Sequence, residues 1–346
     1  MKIIKNGIRG IITLLVVSIC FFSVGACQNQ NGGQGESTSS SSSSSGGADS
    51  SLTPSFGDDK IESSIDRLRD PCVLVEDGVY YMYGTGWTCY KNTSGELSGA
   101  WENLGVVVEI PKEATDNYWA PEVHKYNGEY YMFTTYYSSV TQIRGCTIMR
   151  AQSPEGPFKE ISNGQITAHL GYHTIDGTLY IDQEGAPWLV FVREWVGAED
   201  FIGSMMAAKL SADFTELISE PIELFRAGEP DWTVRVVTDG CWMYRAKNGE
   251  LLMLWSNFSE DGYCVAVARS SNGEITGEWL HDENLLYSGK DRPYDGGHGM
   301  IFTALNGYQY LSIHSPNGEV NGRKEKPVFY RIEENDGVLT LVVDKE

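Results

Sequence analysis

Apolar and polar positions between residues 70 and 315 follow one short plan that returns five times. Each unit has an apolar strand, a turn ending in glycine, and a second strand rich in aromatic or aliphatic side chains. The units are DPCVLVEDGVYYMYGT from Asp70, PEVHKYNGEYYMFTTY from Pro121, DGTLYIDQEGAPWLVFV from Asp176, DGCWMYRAKNGELLMLW from Asp239 and HGMIFTALNGYQYLSI from His298. Their turn glycines are Gly78, Gly128, Gly185, Gly249 and Gly307. A third strand follows several units, as in CTIMRAQSPEGPF (146–158), SMMAAKLSADF (204–214) and CVAVARSSNGEITGEW (264–279). Helical periodicity is scarce. Three to four strands per unit, repeated five times, predict an all-β fold, a five-bladed β-propeller. A plain sandwich with coincident turns would not put an ionisable residue at the head of every unit, as Asp70, Glu122, Asp176, Asp239 and His298 are here.

The repeat also resolves a local ambiguity. In VVTDGCWMYRAKNGELLMLW (236–255), Asp239-Gly240 taken alone is a hairpin tip. Aligning the units moves that turn to Asn248-Gly249 and makes Asp239 the entry to a strand. In a propeller the innermost strand of each blade lines the central axis and starts at one mouth of the channel. The five polar heads are therefore expected to converge there.

The chain before the repeats has a different composition. Lys2, Lys5 and Arg9 precede the apolar run IITLLVVSICFF (11–22), which ends in Val24-Gly25-Ala26-Cys27. That pattern predicts a lipoprotein signal peptide over 1–27, with Cys27 lipidated after export. Residues 28–57 are dominated by Ser and Gly and predict a flexible tether reaching roughly 25–30 Å. Residues 58–346 are the expected propeller domain, of a size at which a single ordinary core stops growing.

Charge removes one class of function. With 26 Lys and Arg against 47 Asp and Glu, the chain carries a net −21 and lacks the basic face that nucleic acid requires. A neutral ligand is compatible with this balance. Beyond the leader, Cys72, Cys89, Cys146, Cys241 and Cys264 are scattered without CxxC spacing, so they are expected to be buried thiols rather than zinc ligands or a disulfide framework.

Carboxylates gathered at one mouth raise one another's pKa, so one can stay protonated while another is ionised. Such a pair suits glycoside hydrolysis, and in inverting enzymes it stands about 6.5–9.5 Å apart. The competing use is a calcium site, although calcium acids usually cluster in one short loop and these are spread over separate units.

At this point the motifs RDPCVL with Asp70, YWAPEV (118–123), TIDGTLYIDQEGAPWLV with Asp176, VTDGCWMYR with Asp239 and GGHGMIF (296–302) carry a resemblance. In order and spacing the chain resembles glycoside hydrolase family 43, five-bladed propellers acting on arabinose- and xylose-containing glycans. The resemblance implies an inverting glycosidase, first an α-L-arabinofuranosidase, with endo-arabinanase, β-xylosidase or a non-catalytic carbohydrate-binding propeller as alternatives. It implies Asp70 as general base, Asp176 as the residue that tunes and orients the acid, and Asp239 as general acid. Asp239 stands where the family has the Glu of a Glu-Gly-Pro motif. Asp is one methylene shorter, a setback of about 1–1.5 Å, which can cost about a hundredfold in rate if nothing compensates. Glu194 and Glu229 are therefore alternative acids. Trp119 matches the family's pocket tryptophan, and Trp87, Trp195, Glu122, Glu194 and Arg292 are further candidate sugar contacts. His298 matches a histidine that holds a hydrated calcium in many members, or is a structural histidine. No cofactor is expected for the chemistry, with a structural calcium in the channel as the one candidate ion. The expected partners are an oligo- or polysaccharide and, through Cys27, a membrane. A monomer is expected.

Overall fold

The structure, a computed structural model, describes residues 60–342. The signal peptide with Cys27 and the tether expected over 1–57 lie outside the described residues.

Five antiparallel sheets succeed one another along the chain and form a five-bladed β-propeller. Blade 1 consists of Cys72–Glu76, Val79–Gly84, Thr88–Asn92 and Glu102–Val106. Blade 2 has Ala114–Tyr126, Glu129–Ser138, Arg144–Ala151 and Lys159–Glu160, and blade 3 has Thr174–Ile181, Pro187–Arg193, Ser204–Lys209 and Ile222–Arg226. Blade 4 is built from Asp239–Arg245, Leu251–Ser259, Gly262–Ser270 and Trp279–His281. Blade 5 runs Gly297–Thr303, Gln309–Ser315 and Lys326–Asn335. Its outer place is shared by Val338–Leu341 and by Lys60–Glu62, which precedes blade 1 in sequence. The ring is thus closed by strand pairing across the ends of the domain, reinforced where Arg323 donates twice to Glu62 at 2.9 and 3.2 Å.

The second and third strands are apolar on both faces because each blade is covered by its two neighbours. Leu251 through Trp255 are wholly buried, and the side chains sort into five cores, one between each pair of blades. The five described cysteines are free and buried in these layers, as expected.

The register at the strand heads differs from the one predicted by aligning turns. In blades 2 to 5 the ladder between first and second strands slips by one residue, between Trp119 and Glu122, Ile175 and Thr178, Asp239 and Trp242, and Gly297 and Met300. Blade 1 does the same: the Thr85 amide donates to Arg69 O while Cys72 pairs with Tyr83. Each slip holds one left-handed residue: Asp70 (φ 54), Ala120 (φ 44), Asp176 (φ 54), Gly240 (φ 55) or His298 (φ 55). These five are the true equivalents. Glu122 sits two residues further along its strand and Asp239 one residue earlier. Every blade carries the same bulge, and its left-handed residue stands eight or nine positions before the turn glycine; Glu122 stands six before and Asp239 ten, so an ionisable side chain near a strand head does not by itself mark the bulge.

A left-handed residue in a bulge leaves its amide outside the ladder, and a buried amide needs an acceptor. Here the acceptor comes from the second strand of the preceding blade. Ala120 N–H donates to Thr85 Oγ1 (3.1 Å), Asp176 N–H to Thr135 Oγ1 (3.1 Å), His298 N–H to Ser256 Oγ (2.8 Å) and Asp70 N–H to His314 Nδ1 (3.3 Å). Blade 3 has the apolar Val192 at this place, and the amide of Gly240 instead donates to the Asp176 carboxylate at 2.9 Å. Removing one acceptor without removing shape exposes the cost. Thr135→Val is expected to lower the unfolding free energy by about 1–3 kcal/mol, measured as a lower denaturation midpoint at unchanged slope.

Candidate active site

The bulges turn consecutive side chains of the innermost strands toward the axis. Arg69 and Asp70, Trp119, Ile175 and Asp176, Asp239 and His298 thereby face one cavity of about 320 Å³, walled also by Thr85, Glu194, Trp195 and Tyr263. That volume is at the small end for ligand pockets. Gly240 explains why one carboxyl comes from the earlier position. A Cβ there would lie 2.9 Å from Cα and Cγ of His298, so only glycine fits and the preceding residue supplies the acid.

Seven of the residues singled out in the sequence meet in this cavity: Asp70, Trp119, Asp176, Glu194, Trp195, Asp239 and His298. Four do not. Trp87 is buried between blades 1 and 2, donating from its indole N–H to Thr134 Oγ1 at 2.6 Å and packing on Tyr118, so it offers no face to a sugar. Glu122 lies further along its strand than the bulge, 3.2 Å from His124 Nε2, and His124 in turn stacks on Trp242 of blade 4. Arg292 folds over the rings of Tyr287 and Tyr330 and donates to Ser288 O. Glu229 is exposed and accepts the Arg226 amide.

Three aspartates, Asp70, Asp176 and Asp239, share the cavity with Glu194, and their surroundings separate them. Burial pushes Asp70 upward, but His298 at 3.3 Å, the His314 imidazole and the Arg69 guanidinium outweigh it and hold the carboxyl well below the usual range. Asp70 Oδ2 also accepts from Thr85 Oγ1 at 2.5 Å. Asp239 is pushed far the other way, by burial first and then by the charges of Asp176 and Asp70. The hydroxyl of Tyr263 donates to its Oδ2 at 3.1 Å, and burial beside these carboxylates keeps that phenol neutral. Asp176 is raised by burial and by Asp70, against the pull of His298 at 3.8 Å and the Gly240 amide. The cavity therefore holds one carboxyl shifted toward the ionised form and another shifted toward the protonated form.

Glu194 is not free to act as the acid. Its two oxygens accept from Arg144 Nε at 2.6 Å and Nη2 at 2.8 Å, and the same guanidinium lies over the Trp119 ring. A carboxyl held by a bidentate arginine is a charged wall, not a proton donor.

Four contributors carried no assignment in the sequence. Arg69 adjoins Asp70 in the same motif and bonds Asn317 and Glu325. Thr85 and His314 end second strands, opposite the bulges. Tyr263 opens the third strand of blade 4, stacked on His314. The available signal was a polar residue closing an apolar second strand, in MYGT and LSIH. The calcium expected near His298 finds no direct cage: among the described residues no three His, Cys, Asp or Glu side chains converge on a metal position, and Nδ1 of His298 is occupied by the two carboxylates.

A propeller that gathers oppositely shifted carboxyls in one axial pocket beside a tryptophan has the makings of a glycosidase. The chain belongs to family 43 of the glycosyl hydrolases, whose sequence profile matches residues 64–339. Members of this family hydrolyse glycosidic bonds with inversion, and they need no cofactor for catalysis. A crystal structure of an endo-arabinase from Bacteroides thetaiotaomicron is similar over 80% of this chain and 98% of its own, at 36% identity and a TM-score of 0.70. A probable arabinan endo-1,5-α-L-arabinosidase B from Aspergillus fumigatus is 26% identical over 38% of this chain, and the match spans 39% of that relative. An extracellular endo-α-(1→5)-L-arabinanase from Bacillus subtilis is 27% identical over 39% of this chain and 46% of its own length. The chain thus spans under half the length of these curated relatives. The α-L-arabinofuranosidase of Lactobacillus brevis, at 18% identity and a TM-score of 0.62, shares the fold.

The raised Asp239 carries a stability signature. A folded-state pKa above the unfolded value favours the protonated fold, a contribution present at low pH and lost as pH rises through the folded pKa. Asp239→Asn, which keeps an acceptor for Tyr263, is expected to raise the melting temperature by a few degrees at pH 8 and by less at pH 4 in a thermal scan.

Proposed function

We propose that this protein hydrolyses α-L-arabinofuranosyl bonds of arabinan with inversion of configuration, cutting within the chain. The observation that carries the reading is the convergence of Asp70, Asp176 and Asp239 in one pocket, where His298, His314 and Arg69 surround Asp70 while Asp239 meets like charges and the Tyr263 hydroxyl, which shifts the two carboxyls in opposite directions. The similarity to the endo-arabinase and to the curated arabinan endo-1,5-α-L-arabinosidases supports arabinan over xylan, and internal cleavage over the terminal cleavage of an arabinofuranosidase.

The sugar at the cleavage point stacks on Trp119, which Arg144 and Glu194 hold upright. Asp70 removes a proton from water as its oxygen attacks the anomeric carbon. The glycosidic C–O bond breaks on the opposite face, and Asp239 gives its proton to the departing oxygen. Asp176 holds the Gly240 amide, which fixes the backbone next to the acid, and its charge helps keep Asp239 protonated until that moment. The shorter Asp in place of Glu is steadied by Tyr263. We further propose that the protein is exported and anchored through a lipid on Cys27, the reading supported by the basic start, apolar run and Val24-Gly25-Ala26-Cys27 of its sequence.

The pH profile tests the assignment. On arabino-oligosaccharides kcat/KM is expected to fall on the alkaline side as Asp239 loses its proton. The acid limb should lie below the ordinary carboxylate range because Asp70 stays ionised there. Asp239→Asn should lose about 10²–10⁴-fold on arabinan, far less on an aryl arabinofuranoside whose leaving group needs no proton, and should lose the alkaline limb. Equal losses on both substrates would refute Asp239 as the acid. If the wild type releases sugar from xylan but not from arabinan, the substrate assignment fails.

A further inference from the structure

Phe201 breaks two rules at once. It is an aromatic side chain 68% exposed to solvent, and its backbone is left-handed (φ 56), a strained conformation for a bulky residue. Strain kept in an exposed loop with no packing to reward it suggests a use.

The loop is built, not loose. Asp200, the preceding residue, is gripped by Arg226 and lies 3.5 Å from Arg193. The Ile202 amide donates to Asp200 Oδ1 at 3.2 Å, and Arg193 donates to Ile202 O. Gly203 N–H then donates to Val236 O at 2.8 Å, and Ala227 N–H to Gly203 O at 3.0 Å, which ties this loop to the one that runs from blade 3 to blade 4. On that second loop Val234 and Val236 are also exposed, at 48% and 44%. Both loops run into the pocket. The first begins with Glu194 and Trp195, and the second ends at Asp239. The two tied loops therefore carry an exposed apolar ridge, Phe201 with Val234 and Val236, on chain that leads out of the pocket.

We propose that Phe201, flanked by Val234 and Val236, is a platform for sugar units of the arabinan chain beyond the cleavage point. The reading rests on the function proposed above and names the residue that gives it preference for polymer. Sugar rings present C–H faces that pack on an aromatic ring, and a rigid ring in a pinned loop loses little entropy in doing so. Exposed Glu199, Asp231 and Arg235 adjoin these side chains in sequence, and Asp200 is neutralised by Arg226 and Arg193; this mixed charge offers an anionic membrane surface no cationic patch and leaves a neutral polymer unaffected.

The test compares wild type, Phe201→Ala, Phe201→Tyr and Phe201→Gly on linear arabinan and on an aryl arabinofuranoside. Phe201→Gly relieves the strain and so secures a folded control without the ring. Expected is a fall in kcat/KM on arabinan of about 3- to 10-fold for Ala and Gly, with the aryl substrate unchanged and Tyr close to wild type. Equal effects on both substrates, or none, overturn the proposal. So does a loss of binding to phosphatidylglycerol vesicles with arabinan hydrolysis intact, since the ridge is then a membrane contact. Should the wild type cleave neither substrate, the function reading has failed. Phe201 is then judged on the Kd for linear arabino-oligosaccharide alone, where no weakening in Phe201→Ala overturns it and a 3- to 10-fold weakening (about, from the same stacking range) sustains it.

Discussion

Five backbone amides govern this molecule. A propeller blade alone would pair its first strand with its second from end to end and present alternate side chains to the axis. The bulge at each strand head interrupts that pattern and frees one amide per blade, which the fold must bury with an acceptor or lose stability. Four are capped by Thr85, Thr135, Ser256 and His314, each reaching forward from the preceding blade. The same left-handed turns that create the requirement also aim paired side chains into the cavity. Packing of blade on blade and construction of the site are consequently one problem, solved by one set of residues.

The exception in the ring is informative. At blade 3 the capping position is Val192, and the carboxylate of Asp176 takes the Gly240 amide. A structural debt of the bulge is met by a group that also sets the electrostatics of the pocket. Three carboxyls in so small a space cannot all ionise together. The histidines and Arg69 gather around Asp70, while burial and two like charges outweigh the Tyr263 phenol and the more distant pull of Arg69 at Asp239, so the two carboxyls shift in opposite directions. The proposed division of labour between base and acid rests on which neighbours each strand head meets.

Most of this fold was legible in the chain because turn glycines and apolar strands recur at each blade, and a blade covered on both sides has to be apolar on both sides. The lining of the pocket was legible where a carboxylate or tryptophan sat at a strand head. What stayed hidden was the bulge. Its left-handed residue stands eight or nine positions before the turn glycine in every blade, whereas Glu122 stands six before and Asp239 ten, so the five ionisable heads are not one layer of side chains, and Glu122 lies instead beside His124, which stacks on Trp242. Trp87 was misjudged for a related reason: aromatic side chains both pack blades and stack on sugars, and composition does not separate the two uses. Tyr263 and His314 were unmarked because they belong to second and third strands, whose inward ends are visible only once the ring is closed.

Closure also sets where the chemistry can exist. The proposed base lies at the first strand of blade 1, yet its amide is held by His314 of blade 5, and Arg69 beside it bonds Asn317 and Glu325 of the same last blade. Just upstream, the Ser63 and Leu68 amides donate to Pro327 O and Glu325 O, and Lys60–Glu62 pairs with the strand Lys326–Asn335. An open ring would retain every core between blades but the fifth, and would still leave Asp70 without its histidine, its arginine clamp or its depressed pKa. The carboxylate that must stay ionised depends on the contact that the chain makes last in sequence. The seam of the propeller is thereby part of the site, and loosening it would remove the base before it unfolded the blades.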